Sequence, residues 1–455
     1  MALFGKVLVA NRGAVADRVL RALNALGIPS LAAYSEADAG APWLARASET
    51  ACIGPAPARE SYLNVEAILA AARQHRCDAV HPGYGFLSEN AAFAQAVEEA
   101  GMRFVGPSSR WLEAMGHKTR ARELAAREGW PVGRASGVLP ADPQAALAAA
   151  EKVGYPILVK PAGGGGGIGM IVAQNASELP AAVERATSMA SRGFANAEVY
   201  LERLVERPRH VEIQVVGDRH GQVAHLFERD CSLQRRHQKV IEEARAPHAP
   251  ASLPGLLDHV AATLSRLGYD NVGTVEMLLT PDGEFRFLEM NTRLQVEHGV
   301  TEEITGIDIV VAQLRSAAGH RLADILPTPA TARGHAIQAR VYAEDPKRFL
   351  PSPGTLREFV PPKSEGIRVE TGYAKGRDVT PHYDPLLAKV IARDVSRHAA
   401  IDRLIAALRE FRIEGVKHNI PALLALLDSE PFRAGQVHTG LIPEVLGPNG
   451  ARLAA

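Results

Sequence analysis

In the first third of the chain, short apolar runs alternate with stretches whose apolar residues recur at helical spacing. Lys6–Ala10 reads as a strand, Ala14–Leu26 as a helix stopped by Gly27, and Ser30–Tyr34 as the next strand. The same alternation continues through Val65–His75, Ala79–His81, Asn90–Ala100 and Arg103–Val105. Strands regularly separated by helices predict parallel βαβ units in an open α/β sheet. The first strand–helix turn is Asn11-Arg12-Gly13, without the glycine fingerprint that a nicotinamide dinucleotide site needs there.

The pattern changes after Trp111–Glu128, which reads as one helix. Paired strand-like runs follow: Ile157–Pro161 with Met170–Ala173, then Val199–Leu201, His210–Val216, Gln222–Phe227, Val275–Leu279 and Glu284–Glu289. Strands joined by tight turns predict antiparallel sheets. A third region opens near Arg333, past the linker-like Pro327-Thr328-Pro329, and includes a helix over Ala399–Glu410; the residues from Gly447 read as a loose tail.

At 455 residues, with 51 basic and 51 acidic side chains, the chain is long enough for several domains and carries no formal net charge. The balance argues against a duplex nucleic-acid binder, and 5% aromatics against a base-stacking platform. The three cysteines, Cys52, Cys77 and Cys231, lie far apart, which excludes a disulfide framework or thiolate zinc site and suits a reducing compartment. Each is expected to be a buried or neutral thiol. No apolar run approaches the ~20 residues of a membrane helix, and the N-terminus has no signal-peptide core. A cytoplasmic protein with no membrane and no nucleic-acid partner is expected.

Residues 163–167 are five consecutive glycines. Such a run is costly in backbone entropy and bares its amides, which suits a hairpin tip wrapping a phosphate beside the cation of Lys160. A plain flexible linker is the alternative. Gly164, Gly166 and Gly169 satisfy G-x-G-x-x-G literally, but Met170–Ala173 reads as a strand rather than a helix start.

Asp282-Gly283 between two apolar runs is a strong hairpin signal. If these are the two turn residues, Glu276 falls opposite Glu289, and Asn291 projects from the same face. Two opposed carboxylates repel unless a cation lies between them, and an all-oxygen set suits Mg²⁺ or Mn²⁺. A one-residue slip would turn them outward onto a solvated face instead. If the chain stays extended beyond Asn291, then Arg293, Gln295 and Glu297 share its face while Leu294 and Val296 face away. Such a row can hold a small anion beside the metal and supply a general base; a polar surface strand is the alternative. A second polar cluster, Arg229–Lys239, is dense in cations and reads as an anion-binding lining or a solvated face, and His210, Glu212 and Gln214 alternate with apolar residues.

Taken in order, these motifs make the chain resemble a biotin carboxylase of the ATP-grasp superfamily over residues 4–446. The segments that carry the resemblance are Ala10–Gly13, His81–Asn90, the glycine loop, Arg209–Gln214, Arg229–Lys239, Glu289–His298 and Arg340–Asp345. The resemblance implies a mixed α/β and α+β fold. An N-terminal open parallel α/β domain (the pre-ATP-grasp unit) would span 1–116 and an ATP-grasp domain 117–333, with a mobile glycine-tipped lid at about 133–204. A C-terminal biotin-carboxylase domain would span 334–446, followed by a tail at 447–455.

It further implies that Lys118, Lys160 and the amides of Gly164, Gly165, Gly166 and Gly167 contact ATP phosphates, while Glu202, His210, Gln234 and His237 seat the adenosine. Glu276, Glu289 and Asn291 would hold Mg²⁺ or Mn²⁺. Arg293, Gln295, Val296 and Lys239 would bind bicarbonate, Glu297 would remove its proton, and Arg340 would stabilise charge on the biotin ureido oxygen. The implied reaction forms carboxyphosphate and then carboxylates biotin.

Ile168 and Gly299, standing where Arg or Lys and Pro are usual, resemble the urea- and guanidine-carboxylase branch. Ala14, Tyr342 and Arg203 also depart from the common pattern. With no Ala-Met-Lys-Met biotinylation motif in the sequence, biotin is expected in trans on a biotin carboxyl carrier protein, and the second expected partner is a carboxyltransferase. A homodimer is expected too, since Arg18 matches an interface position. The competing readings are another ATP-grasp ligase that makes an acylphosphate, which the Arg293–Glu297 row and Arg340 disfavour, and a non-catalytic nucleotide-binding regulator. The final acceptor (urea, guanidine, an acyl-CoA or a keto acid) is not legible in this chain.

Overall fold

The computed structural model describes residues 3–140, 142–163, 167, 169–194, 197–327 and 329–447. Its N-terminal part is the expected parallel sheet. Strands β1 (Val7–Val9), β2 (Ser30–Tyr34), β3 (Glu49–Cys52), β4 (Ala79–His81) and β5 (Arg103–Phe104) lie in the order β3-β2-β1-β4-β5. Between them run α1 (Gly13–Ala25), α2 (Val65–Gln74) and α3 (Ala91–Glu99). Asn64 and Asn90 start the latter two by accepting the backbone N–H of Ala67 and Phe93. Val7, Leu8 and Val9 are wholly buried, as the centre of a sheet covered on both faces requires.

The single helix expected over Trp111–Glu128 is two, α4 (Ser109–Gly116) and α5 (Lys118–Arg127), broken at an extended His117. Gly116 is a poor helix residue, and the Lys118 N–H donates to Ala162 O at 2.9 Å instead of continuing the helix. A compact unit follows: β6 (Ala135–Val138), α6 (Pro143–Val153), β7 (Ile157–Pro161), β8 (Ile171–Ala173), α7 (Leu179–Phe194) and β9 (Val199–Arg203). Its four strands pair antiparallel in the order β6-β9-β7-β8 over a small core that includes Ile157, Val159, Leu179 and Leu201.

The remaining long strands form one antiparallel sheet. They are β10 (Arg209–Gly217), β11 (Val223–Arg235), β12 (Gln238–Ala244), β13 (Val272–Leu279), β14 (Phe285–Asn291) and β15 (His335–Tyr342). Six more strands follow among the described residues: β16 (Gly354–Thr355), β17 (Glu358–Val360), β18 (Ile367–Thr371), β19 (Asp378–Val379), β20 (Leu386–Asp394) and the short β21 (Arg412–Glu414). The eight-stranded order is β14-β13-β10-β11-β12-β15-β20-β18, so the sheet crosses residue 333 without interruption: Ile241 pairs with Ala339 and Ala339 with Val390. Helices α8 (Leu253–Leu267), α9 (His298–Thr305), α10 (Ile309–Ala317) and α11 (Leu322–Ile325) precede β15, and α12 (Arg397–Glu410) packs Ile401, Leu404 and Leu408 into the C-terminal core with Val390 and Ile337. Among the described residues no helix is long and apolar enough to cross a membrane.

Candidate active site

The carboxylate hairpin reaches its expected pairing by an unexpected route. Its turn holds three residues, Pro281–Gly283, closed by Thr280 N–H donating to Glu284 O at 2.9 Å, with Gly283 in the left-handed region at φ +86°. This loop pairs Leu279 with Phe285 and Met277 with Phe287, one residue away from what a two-residue Asp282-Gly283 turn would give. Leu288 is then left over as a bulge, and beyond it Glu276 faces Glu289 and Thr274 faces Asn291. The two departures from the simple hairpin cancel.

Each opposed carboxylate carries its own cation. Glu276 is bonded by Lys239 Nζ at 2.9 Å with His210 Nε2 lying 3.0 Å away, and Lys118 Nζ lies 2.9 Å from Glu289. The break between α4 and α5 is what places Lys118 there. Burial pushes both carboxyls up, but Lys239 and His210 outweigh it at Glu276 and hold it well below the usual range; Lys118 does the same for Glu289 more weakly. Asn291 Oδ1 accepts from Arg293 at 2.6 Å, and its buried Nδ2 has no partner. Two ionised carboxylates and an amide oxygen at adjoining positions fit a hard divalent cation.

Lys239, near the start of β12, also ion-pairs Glu212 and, at 2.7 Å, Glu297. One ammonium therefore gathers three buried carboxylates from three elements. Arg340 on β15 closes on Glu297 from its other oxygen at 3.0 Å and on Glu242 at 2.5 Å. Burial would raise Glu297, but Lys239, Arg340 and Arg229 outweigh it and keep it ionised far below its ordinary value.

The polar row after Asn291 is not an extended strand. β14 ends at Asn291, residues 296–297 turn, and α9 begins at His298. Leu294 anchors the segment in the core, and the polar side chains still converge. Arg293 donates to Gln295 Oε1 at 2.9 Å and to Glu89 at 2.8 Å, and Gln295 Nε2 donates to Glu276 at 3.1 Å. Val296 contributes backbone: its carbonyl accepts from Lys389 Nζ at 2.8 Å.

A cleft of about 560 Å³ joins these groups to the antiparallel unit at residues 135–203. Its walls carry Lys118, Lys160, Glu202, His210, Gln234 and His237 together with Lys239, Glu276, Glu289, Asn291, Arg293, Gln295 and Arg340. Glu297 lies behind this wall, reached through Lys239 and Arg340. Lys160 is buried on β7 and donates to Glu202 at 2.6 Å, which Arg122 bonds at 2.8 Å. Gln234 Nε2 and His210 Nδ1 are 2.8 Å apart. Gly163 and Gly167 line the cleft, whereas Gly164, Gly165, Gly166 and Ile168 lie outside the described residues. A Cβ on Gly167, at φ +72°, would stand 2.5 Å from His237 Cβ, so only glycine permits this approach.

His237 owes its place to a tight β11–β12 turn in which Arg236 and His237 both have positive φ, +48° and +63°. This is the two-residue hairpin geometry that normally takes Asn-Gly. The cationic cluster around it is not uniformly an anion lining. Arg229 is wholly buried and engaged by Glu212 at 2.6 Å and Gln214 at 2.7 Å, and Arg235 is engaged by Glu344. The strand expected over Gln222–Phe227 runs on to Arg235 because these arginines face buried acids. Cys231 is also buried, its thiol pushed well up by burial and by Glu212, which suits no nucleophile; Cys52, by contrast, is exposed. Arg18 is buried and ion-paired to Glu302 at 2.8 Å and Asp308 at 2.5 Å, while its Nε makes no hydrogen bond among the described residues.

Glu212, Glu242, Glu89 and Arg122 belong to the site and were not singled out from the sequence. The signal for Glu212 lies in the polar alternation of His210, Glu212 and Gln214, and Glu89 stands in the His81–Asn90 segment that carries the resemblance; Glu242 and Arg122 stand in no comparable pattern.

The sequence matches three family descriptions in succession: "Biotin carboxylase, N-terminal domain" over residues 3–112, "Carbamoyl-phosphate synthase L chain, ATP binding domain" over 117–325, and "Biotin carboxylase C-terminal domain" over 338–444. It is similar to biotin carboxylase 2 of Bacillus subtilis, at 45% identity over 98% of this chain and 100% of that one. It is also similar to the biotin carboxylase of Pseudomonas aeruginosa, at 45% identity over 97% of this chain and 98% of that one. Among solved structures, the biotin carboxylase domain dimer of the Hydrogenobacter thermophilus 2-oxoglutarate carboxylase, in complex with MgADP, ADP and bicarbonate, superimposes with a TM-score of 0.93 at 41% identity, covering 98% of this chain and 99% of that one.

Proposed function

The chain belongs to the biotin carboxylase family, and from that premise we propose how its cleft carboxylates biotin with ATP and bicarbonate. The observation that carries the assignment of roles is the Lys239 ammonium shared by Glu212, Glu276 and Glu297, with Arg340 on the far oxygen of Glu297. It joins the carboxylates suited to a metal to a buried base and two cations suited to a small anion.

In this reading Lys118, Lys160 and the amides of the glycine loop hold the ATP phosphates, and Glu202, His210, Gln234 and His237 seat the nucleoside. Glu276, Glu289 and Asn291 would hold Mg²⁺ or Mn²⁺, which when bound neutralises phosphate charge. Arg293, Gln295, Lys239 and the Val296 backbone orient bicarbonate, and Glu297 accepts its proton. A bicarbonate oxygen attacks the γ-phosphorus, the bond to the ADP oxygen breaks, and carboxyphosphate results. Phosphoryl transfer of this kind needs positioning and charge neutralisation more than a protein nucleophile, and the inert Cys231 agrees with that. The carbon–oxygen bond to phosphate then breaks, the carboxyl group passes to N1′ of biotin while the departing inorganic phosphate takes the N1′ proton, and Arg340 faces the charge that develops on the ureido oxygen.

Bicarbonate drawing Lys239 toward itself would also loosen the cation grip on Glu297 and raise its proton affinity at the moment it must act. Biotin is supplied on a biotin carboxyl carrier, and a carboxyltransferase uses the product. A homodimer, the form named for the Hydrogenobacter domain, is tested by light scattering. The enzymatic reading is tested by ADP release, which should require bicarbonate and rise with free biotin; a folded, Mg²⁺-loaded protein showing neither would refute it.

A further inference from the structure

Behind the bicarbonate segment lies a buried cation that none of the steps above uses. Lys389, in the middle of β20, has no solvent exposure. Its ammonium ion-pairs Glu370 of β18 at 2.5 Å, a carboxylate that is also wholly buried. It also donates to the carbonyl of Val296 at 2.8 Å. A lysine in such a place costs a large desolvation penalty, and a pair of apolar residues would serve packing at least as well. The carbonyl it holds belongs to the residue between Gln295 and Glu297, in a turn outside strand and helix. The flanking carbonyls have backbone donors, His298 N–H to Gln295 O at 3.4 Å and Val300 N–H to Glu297 O at 3.2 Å, and Gln295 O also lies 2.7 Å from the buried His298 Nδ1. At the Val296 carbonyl the donor is a side chain from the C-terminal region.

We propose that Lys389 is a positioning residue for the carboxylation reaction: through the Val296 carbonyl it fixes the peptide that aims Gln295 and Glu297 at bicarbonate. The proposal rests on the assignment of these residues to bicarbonate made above. Glu370 serves as the counter-ion that makes a buried ammonium tolerable there. Arg368 and Arg21 also bond Glu370, at 3.0 and 3.1 Å, so its carboxylate stays compensated when Lys389 is removed.

The test compares Lys389→Met, Lys389→Arg and the double variant Lys389→Met with Glu370→Gln, measuring thermal stability, KM for ATP and for bicarbonate, and ADP release without bicarbonate. The expected result for Lys389→Met is at least a tenfold loss of kcat/KM for bicarbonate with KM for ATP within twofold of wild type. Lys389→Arg, which keeps a donor, should recover part of the loss. The double variant should regain no bicarbonate turnover over Lys389→Met and should be no more stable, since it takes the Glu370 charge away from Arg368 and Arg21. Recovery of turnover in the double variant, or equal damage to the ATP and bicarbonate constants in Lys389→Met, would overturn the proposal in favour of a purely structural ion pair. A wild-type protein without bicarbonate-dependent ADP release would instead refute the underlying assignment, and this inference with it.

Discussion

In the proposed reaction Glu297 begins as a carboxylate, and its surroundings suit that: it is buried, yet Lys239 and Arg340 each bond one of its oxygens. Glu297→Gln keeps the shape and loses the charge, so bicarbonate-dependent turnover should fall by at least a hundredfold while ATP binding, followed by calorimetry, stays within a few-fold of wild type. Lys239 has the larger structural role. Lys239→Gln removes the one cation shared by Glu212, Glu276 and Glu297, leaving them to Arg229, His210 and Arg340 respectively, and breaking buried pairs of this kind costs up to about 3–5 kcal/mol. A drop of that size in chemical-denaturation stability is expected, alongside lost activity. The buried histidines give the fold an acid dependence of definite sign. Burial holds His81 and His298 to about 3, against about 6.5 for a free imidazole. Below pH 6.5 the unfolded chain takes protons that these folded rings refuse, so their contribution is complete above that pH and falls away as the pH drops toward 3. Glu344, pushed up to about 7 by burial against the pull of Arg235, works in the opposite sense over part of this range. His298→Asn, which keeps a donor near the Nδ1 position, should therefore lose less melting temperature between pH 7 and pH 5 than wild type.

At the scale of elements, the two hairpins that meet over the cleft are the β7–β8 tip and the β11–β12 turn, and Gly167 is where they touch His237. Gly167→Ala forces them apart; KM for ATP should rise about tenfold with little change in melting temperature, measured by coupled ADP release and differential scanning fluorimetry. How much of this was legible depended on local chemistry. Asp282-Gly283 announced a hairpin, and the facing of Glu276 and Glu289 followed from it, although the third turn residue and the Leu288 bulge were hidden because no side-chain pattern marks an offset that undoes itself. The Arg236-His237 turn could not be read at all, since neither residue favours the left-handed conformation it adopts. Arg229 misled for a related reason: a run of charges reads as a surface, and only the fold brings Glu212 from the neighbouring strand to bury it. The helix break at His117 had a weak signal in Gly116 and a strong cause elsewhere, in the carbonyl of Ala162. Parallel βαβ order in the first hundred residues was the clearest reading, because each apolar run there is buried on both faces.

Across the whole molecule, the antiparallel unit at residues 135–203 has its own sheet and core, while β10 to β15 share one sheet with β18 and β20. Nucleotide should therefore slow amide exchange in the smaller unit far more than in the larger sheet, a difference that exchange mass spectrometry resolves region by region. Chelation of divalent ions should abolish turnover, with Mg²⁺ or Mn²⁺ restoring it and Zn²⁺ failing to, if the proposed oxygen donors at Glu276, Glu289 and Asn291 hold the metal. The unbroken eight-stranded sheet also limits how this enzyme can be taken apart. A fragment beginning at residue 334 would carry β15 with one side of its ladder stripped, a long apolar edge free to join the same edge on another copy. Chimaeras that exchange the nucleotide cover at its two stalks should stay soluble, whereas grafts cut at the later seam should precipitate, so the natural unit of transplantation here is the cover and not the carboxyl-terminal third.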